Sequence, residues 1–242
     1  MLLPIGTDAL ADHTGRNQIL KLLSPADQTR IDRYLEPIDL PIRLQLEAPN
    51  KPVQHVCFID HGIVSVVATG PRRQMIEVGV IGSEGYTGHS LILGASRSPL
   101  DTYVQVAGGG RRIEATKLFG LLDECLSLRE LMHRSIHAFN LQVAFTGLAN
   151  GRATLNQRLA RWLLMAHDRV DGSEIRLTHE FLAVMLGVRR AGVTQALSAL
   201  QKDGLVELKR GAVNLTSRSG LECLVDKFYG APEAELKRMF PS

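Results

Sequence analysis

The stretch LGVRRAGVTQALSAL, residues 186–200, sets a glycine and then two arginines just ahead of a helical apolar pattern. Gly187 permits a left-handed turn that would strain other residues. Val193, Ala196, Leu197 and Leu200 recur at the steps of one helix face. No acidic residue lies between Glu180 and Asp203, so Arg189 and Arg190 would open the helix with nothing local to neutralise them. Arginine pairs bidentately with guanine O6 and N7, and glutamine pairs with adenine. Arg190 is therefore the candidate guanine reader, and Gln195, further along the helix, a candidate adenine reader. Arg189 and Thr194 are candidates for phosphate or base contact. Gly192 weakens the helix by roughly 0.5–1 kcal/mol relative to Ala. It also lets the backbone approach DNA closely.

The elements that must position these residues are legible on both sides. Thr178 caps a preceding helix whose apolar face is Phe181, Leu182, Val184 and Met185. Ala183 is small where a second helix must cross, and Val188 plugs the gap between the two. A small residue, a glycine four later and an aliphatic six after that is helix-turn-helix spacing. Asp203-Gly204 ends the second helix. LVELKRGAVNLT then predicts a hairpin around Arg210-Gly211, which completes a winged helix. Thr178, His179, Lys209 and Arg210 are candidate DNA-backbone contacts, which position without specifying sequence.

Upstream, NQILKLLSPADQTRIDRYLE predicts short helices, with Ser24-Pro25 as a start signal. From Pro37 to about Ile113 the β-prone runs HVCFI, IVSVVAT, MIEVGVI and YVQVA alternate with glycines, as in a sandwich or small barrel. Gly108-Gly109-Gly110 before Arg111-Arg112 lacks the spacing of a phosphate-binding loop and predicts a turn. From about Lys117 to Asp168 the pattern is helical. Met132, Ile136, Phe139 and Val143 form a coiled-coil-like seam, beside a second stripe of Leu128, Leu131, Ser135 and Ala138. Two stripes suit a helix that faces its own domain on one side and a partner chain on the other. A single buried core helix would show the same pattern. ANGR at 149–152 interrupts it as a hinge.

The 242 residues are 45% hydrophobic and 22% charged, which is ordinary for a globular chain. Residues 1–150 carry 14 Lys and Arg against 15 Asp and Glu, whereas 151–242 carry 14 against 10. The positive excess thus sits with the winged helix, compatible with nucleic acid. Three scattered cysteines make a disulfide framework improbable, and with no CxxC pair the strongest zinc and iron–sulfur signatures are missing. His133 and His137 stand four apart on a helix without an evident third metal ligand. No catalytic constellation stands out, so neither enzyme activity nor a cofactor or metal is expected. No apolar run reaches membrane-spanning length and the start lacks signal-peptide character, which points to the cytoplasm.

Taken together, the β-rich half, the seam helix, the hinge and the winged helix resemble the Crp–Fnr family of bacterial transcription regulators over nearly the whole chain. The likeness is strongest over 158–216, from RLARWLLMA through LTHEFLAVMLGVRRAGVTQALSALQKDGLVE. The resemblance implies an α+β chain: an effector-type β-roll with flanking helices at 1–126, a dimerisation helix at 127–150 and a winged helix-turn-helix at 151–242. It also implies a homodimer on double-stranded DNA, with RNA polymerase as a further partner and an unknown small-molecule effector or none.

VCFIDHGIVSVV and IEVGVIGSEGYTGHSLILG resemble the strands before and into the family's effector pocket. Cyclic-nucleotide-binding members carry a Gly-Glu and an Arg-Ser pair there. This chain has Gly88-His89 and Leu100-Asp101, with Arg97-Ser98 nearby, so cyclic AMP is not expected as effector. Ala191 stands where the family often has an acidic residue, so the operator should differ from the common half-site. The N-terminal cysteine set of the oxygen-sensing members is missing. The rival reading is a ligand-binding or protein-interaction module of the same fold without DNA reading. It would lack salt-dependent DNA affinity.

Overall fold

The computed structural model describes residues 17–240. Two short helices, α1 (Gln18–Lys21) and α2 (Pro25–Ile31), lead in, capped by the side chains of Asn17 and Ser24. Five antiparallel strands follow: β1 (Glu36–Leu40), β2 (Gln45–Glu47), β3 (His55–Thr69), β4 (Met75–Ile81) and β5 (Asp101–Glu114). They order as β1-β5-β3-β4, with β2 pairing β5. The short helix α3 (His89–Ile92) lies between β4 and β5.

Two sequence expectations are corrected here. HVCFI and IVSVVAT form one long strand rather than two, because bulges around His61 absorb Gly62 at φ +93° without ending β3. Gly108-Gly109-Gly110 is no turn but the middle of β5, pairing with both β1 and β3. A Cβ on Gly108 would lie 2.0 Å from the His61 carbonyl oxygen, and one on Gly110 2.2 Å from that of Phe58. Glycine is needed where two backbones approach this closely. Gly108→Ala should therefore destabilise the fold by at least the ~1–3 kcal/mol of an overpacked core, since the obstacle is backbone. Gly120→Ala, where a Cβ meets nothing within 4 Å, is the control. Thermal unfolding should show Gly108→Ala melting well below it; equal melting temperatures would refute the packing argument.

Three helices follow: α4 (Ala115–Leu122), α5 (Leu126–Arg152) and α6 (Leu155–His167). ANGR does not form a hinge, since α5 continues unbroken to Arg152. The break comes at Ala153 and Thr154, both extended, and Thr154 with Gln157 builds a capping box that starts α6.

The C-terminal unit comprises β6 (Glu174–Arg176), α7 (His179–Leu186), α8 (Arg190–Lys202), β7 (Val206–Lys209), β8 (Ala212–Leu215), α9 (Arg218–Val225) and α10 (Ala231–Met239). Its sheet is ordered β6-β8-β7. Leu163, Leu182, Val193, Leu197, Val206 and Val213 are among its core residues, and Ile63, Val67 and Val80 of β3 and β4 belong to the same cluster. α10 folds back onto α5, and Phe240 behind it is buried in the core around Phe58, Tyr86 and Met132. Among the described residues no helix is long and apolar enough to cross a membrane.

Candidate nucleic-acid interface

Gly187 ends α7 at φ +61°, ψ +37°, and Val188 N–H returns to the Ala183 carbonyl at 2.9 Å. This tight left-handed C-cap turns the chain straight into α8. Val193, Ala196, Leu197 and Leu200 point inward, leaving Arg189, Arg190, Thr194 and Gln195 exposed. Arg189 is the extended N-cap residue and no side chain caps α8. The partial positive charge of the helix start therefore adds to two guanidinium groups, an arrangement that favours an anion.

Arg190 is not without a neighbour, contrary to the sequence expectation: its Nε lies 3.0 Å from Glu180 Oε1 across the turn. Both side chains are more than 60% exposed, so the pair is worth at most ~1 kcal/mol and yields readily to a better acceptor. His179 Nδ1 lies 3.0 Å from Thr194 Oγ1, which brings His179 to the reading helix rather than leaving it apart. Thr178 accepts from Phe181 N–H as the cap of α7. In the wing Gly211 adopts φ +74° and Arg210 is exposed, while Lys209 Nζ lies 3.3 Å from Glu174 Oε2. Gly192 has a packing reason that the sequence did not reveal, since a Cβ there would press within 3.3 Å of Leu155.

Two residues escaped the sequence reading. Arg176 on β6 is exposed and pairs in register with Ala212, beside the Arg210-Gly211 turn, so it extends the basic rim of the wing. Strand alternation in EIR was its only signal. Arg158 donates to the Leu186 carbonyl and, from Nε, to Asn150 Oδ1 at 3.0 Å, tying the turn before α8 to the end of α5. It positions the helix-turn-helix and contacts no DNA-facing residue.

The effector-like segment is only partly brought together. Gly88 takes φ +83° and donates its N–H to Glu47 Oε1 at 2.9 Å. The His89 ring sits edge-on between Tyr86 and Phe139, 4.8 Å from each ring. Its Nε2 is buried without a hydrogen-bond partner, and burial pushes its pKa down to about 4. It lines a cleft with Val80, Glu84, Phe139, Gln142 and Arg169, closed on one side by Pro232 and Leu236 of α10. Arg97 and Ser98 do not line this cleft. Arg97 is exposed in a bridge to Pro52, and Ser98 is engaged with Asn50 and Leu100. The reason is the loop after α3, which carries them back along the chain segment before β3.

The proposed seam is also corrected. Met132 and Ile136 are buried in the core of their own chain, Phe139 packs on His89 and Val143 is half-buried. The second stripe, Leu128, Leu131, Ser135 and Ala138, is buried too. Both stripes are occupied within one chain, by the β-sheet and α10. A different row stays outward: His137, Leu141, Ala144, Leu148 and Gly151, with Leu148 46% exposed. Its steps of four and three are those of a coiled-coil seam. His137 on this row lies 3.8 Å from Glu235, and among the described residues no group of three metal-ligating side chains forms.

The β-roll, long helix and winged helix-turn-helix in this order form a fold shared with solved structures described as Crp/Fnr-family regulators. A transcriptional regulator of the Crp/Fnr family from Eubacterium rectale superposes with a TM-score of 0.67 at 18% identity, over 86% of this chain and 97% of that one. CLP, the c-di-GMP responsive global regulator of Xanthomonas campestris, gives 0.64 at 19% identity, over 80% and 100%. FixK2 from Bradyrhizobium japonicum gives 0.65 at 16%, over 78% and 96%. More particularly, residues 157–224, the stretch that presents Arg189 and Arg190, match the family model of the Crp-like helix-turn-helix domain. No curated protein matches the chain.

Proposed function

We propose that this chain is a sequence-specific transcription regulator that binds a palindromic operator as a homodimer in the cytoplasm, with RNA polymerase as its onward partner. The observation that carries this reading is the uncapped, exposed start of α8, with Arg189, Arg190, Thr194 and Gln195 together on a Crp-like helix-turn-helix. Arg190 reads guanine and Gln195 adenine. Thr178, His179, Lys209 and Arg210, joined by Arg176, hold the DNA backbone. Pairing of two chains along Leu141, Ala144 and Leu148 would set two recognition helices one turn of DNA apart, roughly 34–36 Å. Six to ten phosphate contacts would weaken binding about 10³–10⁵-fold between 50 and 200 mM salt. Fluorescence anisotropy with genomic operator fragments at several salt concentrations tests this, and affinity independent of salt would reject it.

Cyclic AMP is not the effector in this reading. His89 replaces a carboxylate that would bind a ribose, and no arginine from the 97–101 segment faces it. Arg169 at this cleft is already paired with Glu84 at 2.7 Å, and Glu233 beside them accepts from the Gly230 N–H. Calorimetric titration with cyclic AMP and cyclic GMP should show no micromolar binding; a micromolar isotherm for either would overturn the claim.

A further inference from the structure

The joint between the β-roll and the C-terminal unit contains a carboxyl group that no cation pairs with. Glu77 on β4 is 4% exposed. Its Oε1 accepts from the indole Nε1–H of Trp162 on α6 at 2.8 Å, and its Oε2 faces the Ser65 hydroxyl of β3 at 2.6 Å. Ser65 Oγ also faces Gln105 Oε1 on β5 and lies 3.7 Å from Met185 Sδ on α7. Around this cluster α7 is seated on the β-roll, with Phe181 edge-on to Tyr103 and a Cβ at Gly187 only 3.2 Å from Ile76.

The titratable and charged groups facing Glu77 are few. α6 presents Arg158, which is spent on the Leu186 carbonyl and Asn150, and Arg161, and Arg169 follows it. β5 presents Tyr103, whose own pKa burial and Glu77 hold at about 12. None of these arginines reaches the carboxyl. Arg161 is spent on Phe228, Thr146 and Gln142, and Arg169 on Glu84. α7 presents only Met185. Hydrogen bonds can serve either form of Glu77, and burial without a counter-charge is what favours the protonated one. The single Ser65 hydroxyl proton faces two acceptor oxygens, Glu77 Oε2 and Gln105 Oε1. A protonated Glu77 can donate to Ser65, which then donates to Gln105 Oε1, an arrangement that leaves Gln105 Nε2 buried without a partner. Rotating the Gln105 amide serves the ionised carboxylate instead, so amide orientation and proton move together.

We propose that Glu77 is a proton-operated latch between the two units: protonated, it holds the helix-turn-helix on the β-roll, and ionised, it loosens that contact. Burial raises the Glu77 pKa to about 7 in the seated arrangement, against the ordinary 4.5 when the joint opens to water. The closed state therefore holds the extra proton between these values. Its share is largest below pH 5 and falls up to about tenfold per pH unit towards pH 7, as the carboxyl ionises. Above pH 7 the penalty of burying the charge is complete. The effect on DNA affinity rests on the function proposed above; the latch itself does not.

Trp162 is the only tryptophan, so its emission reports on this joint directly. In the full-length protein its emission maximum should shift with pH, with a midpoint between the open-state 4.5 and the closed-state value of about 7, together with faster amide exchange in α7 and β4 on the alkaline side. Glu77→Gln keeps the shape without the titrating proton and should abolish both changes. Ser65→Ala removes a hydroxyl that partners both forms; the lost bond to the ionised carboxylate is the stronger one, so the midpoint should move upward. A midpoint that survives in Glu77→Gln would assign the transition to another group and overturn the latch, as would the lack of any transition between pH 4.5 and 8.5. Salt-dependent DNA binding in the same samples separates failure of the latch from failure of the DNA-binding reading.

Discussion

Leu148→Glu is expected to leave a folded monomer that has lost operator binding. Leu148 lies on the outward row of α5 with 46% of its surface open, so the substitution disturbs its own chain little compared with a core position. Across a two-fold axis it would set two carboxylates against one another in an apolar seam. Burying unpaired like charges costs several kcal/mol, enough to dissociate a dimer of ordinary affinity. The contrast is Phe139→Glu, the disrupting change if the seam ran through Met132, Ile136 and Val143. Phe139 instead packs edge-on against His89, so a carboxylate there lands beside the core and should lower the melting temperature sharply. Sedimentation and thermal unfolding of both variants decide the matter. A Leu148→Glu protein that remains dimeric places the interface on another face.

Arg190→Ala should cost on the order of 1–3 kcal/mol for each half-site and relax preference at one base pair, because it removes a bidentate guanine contact. Releasing Glu180 first costs little, since that pair is exposed. Lys209→Ala should instead weaken all sequences alike and lower the salt slope by about one unit. The two variants are to be compared on a matched and a single-base-changed operator at two salt concentrations. If Arg190→Ala weakens both operators equally, Arg190 contacts phosphate and the reader lies at Arg189 or Gln195.

The helix-turn-helix was the most legible part of the chain because its constraints are local. Thr178 must cap, Gly187 must turn left-handed, and Val193 and Leu197 must face inward. What escaped was decided by contacts between distant segments. Nothing near Gly108–Gly110 in sequence shows that His61 and Phe58 carbonyls press on that strand. Periodicity located the apolar stripes of α5 correctly but cannot say which surface covers them. Here the β-sheet and α10 use the stripes that looked suited to a partner. ANGR failed as a hinge because Gly and Asn only lower helix propensity, whereas Thr154 with Gln157 starts a new helix outright. Arg97 pairs with Pro52 rather than lining the cleft of His89, a pairing between segments that sequence proximity does not reveal.

The cluster that runs from Leu163 and Leu197 into Ile63, Val67 and Val80 has a thermodynamic consequence. Two domains with separate interiors melt as two events, each with its own midpoint. Here the apolar interior of the recognition unit is completed by strands of the β-roll, so neither part can be exposed to water without opening the other. The chain should denature as one cooperative unit, with a single heat-absorption peak whose calorimetric and van't Hoff enthalpies agree. Any molecule that binds only the native β-roll then raises the melting point of the helix-turn-helix by the same mass action.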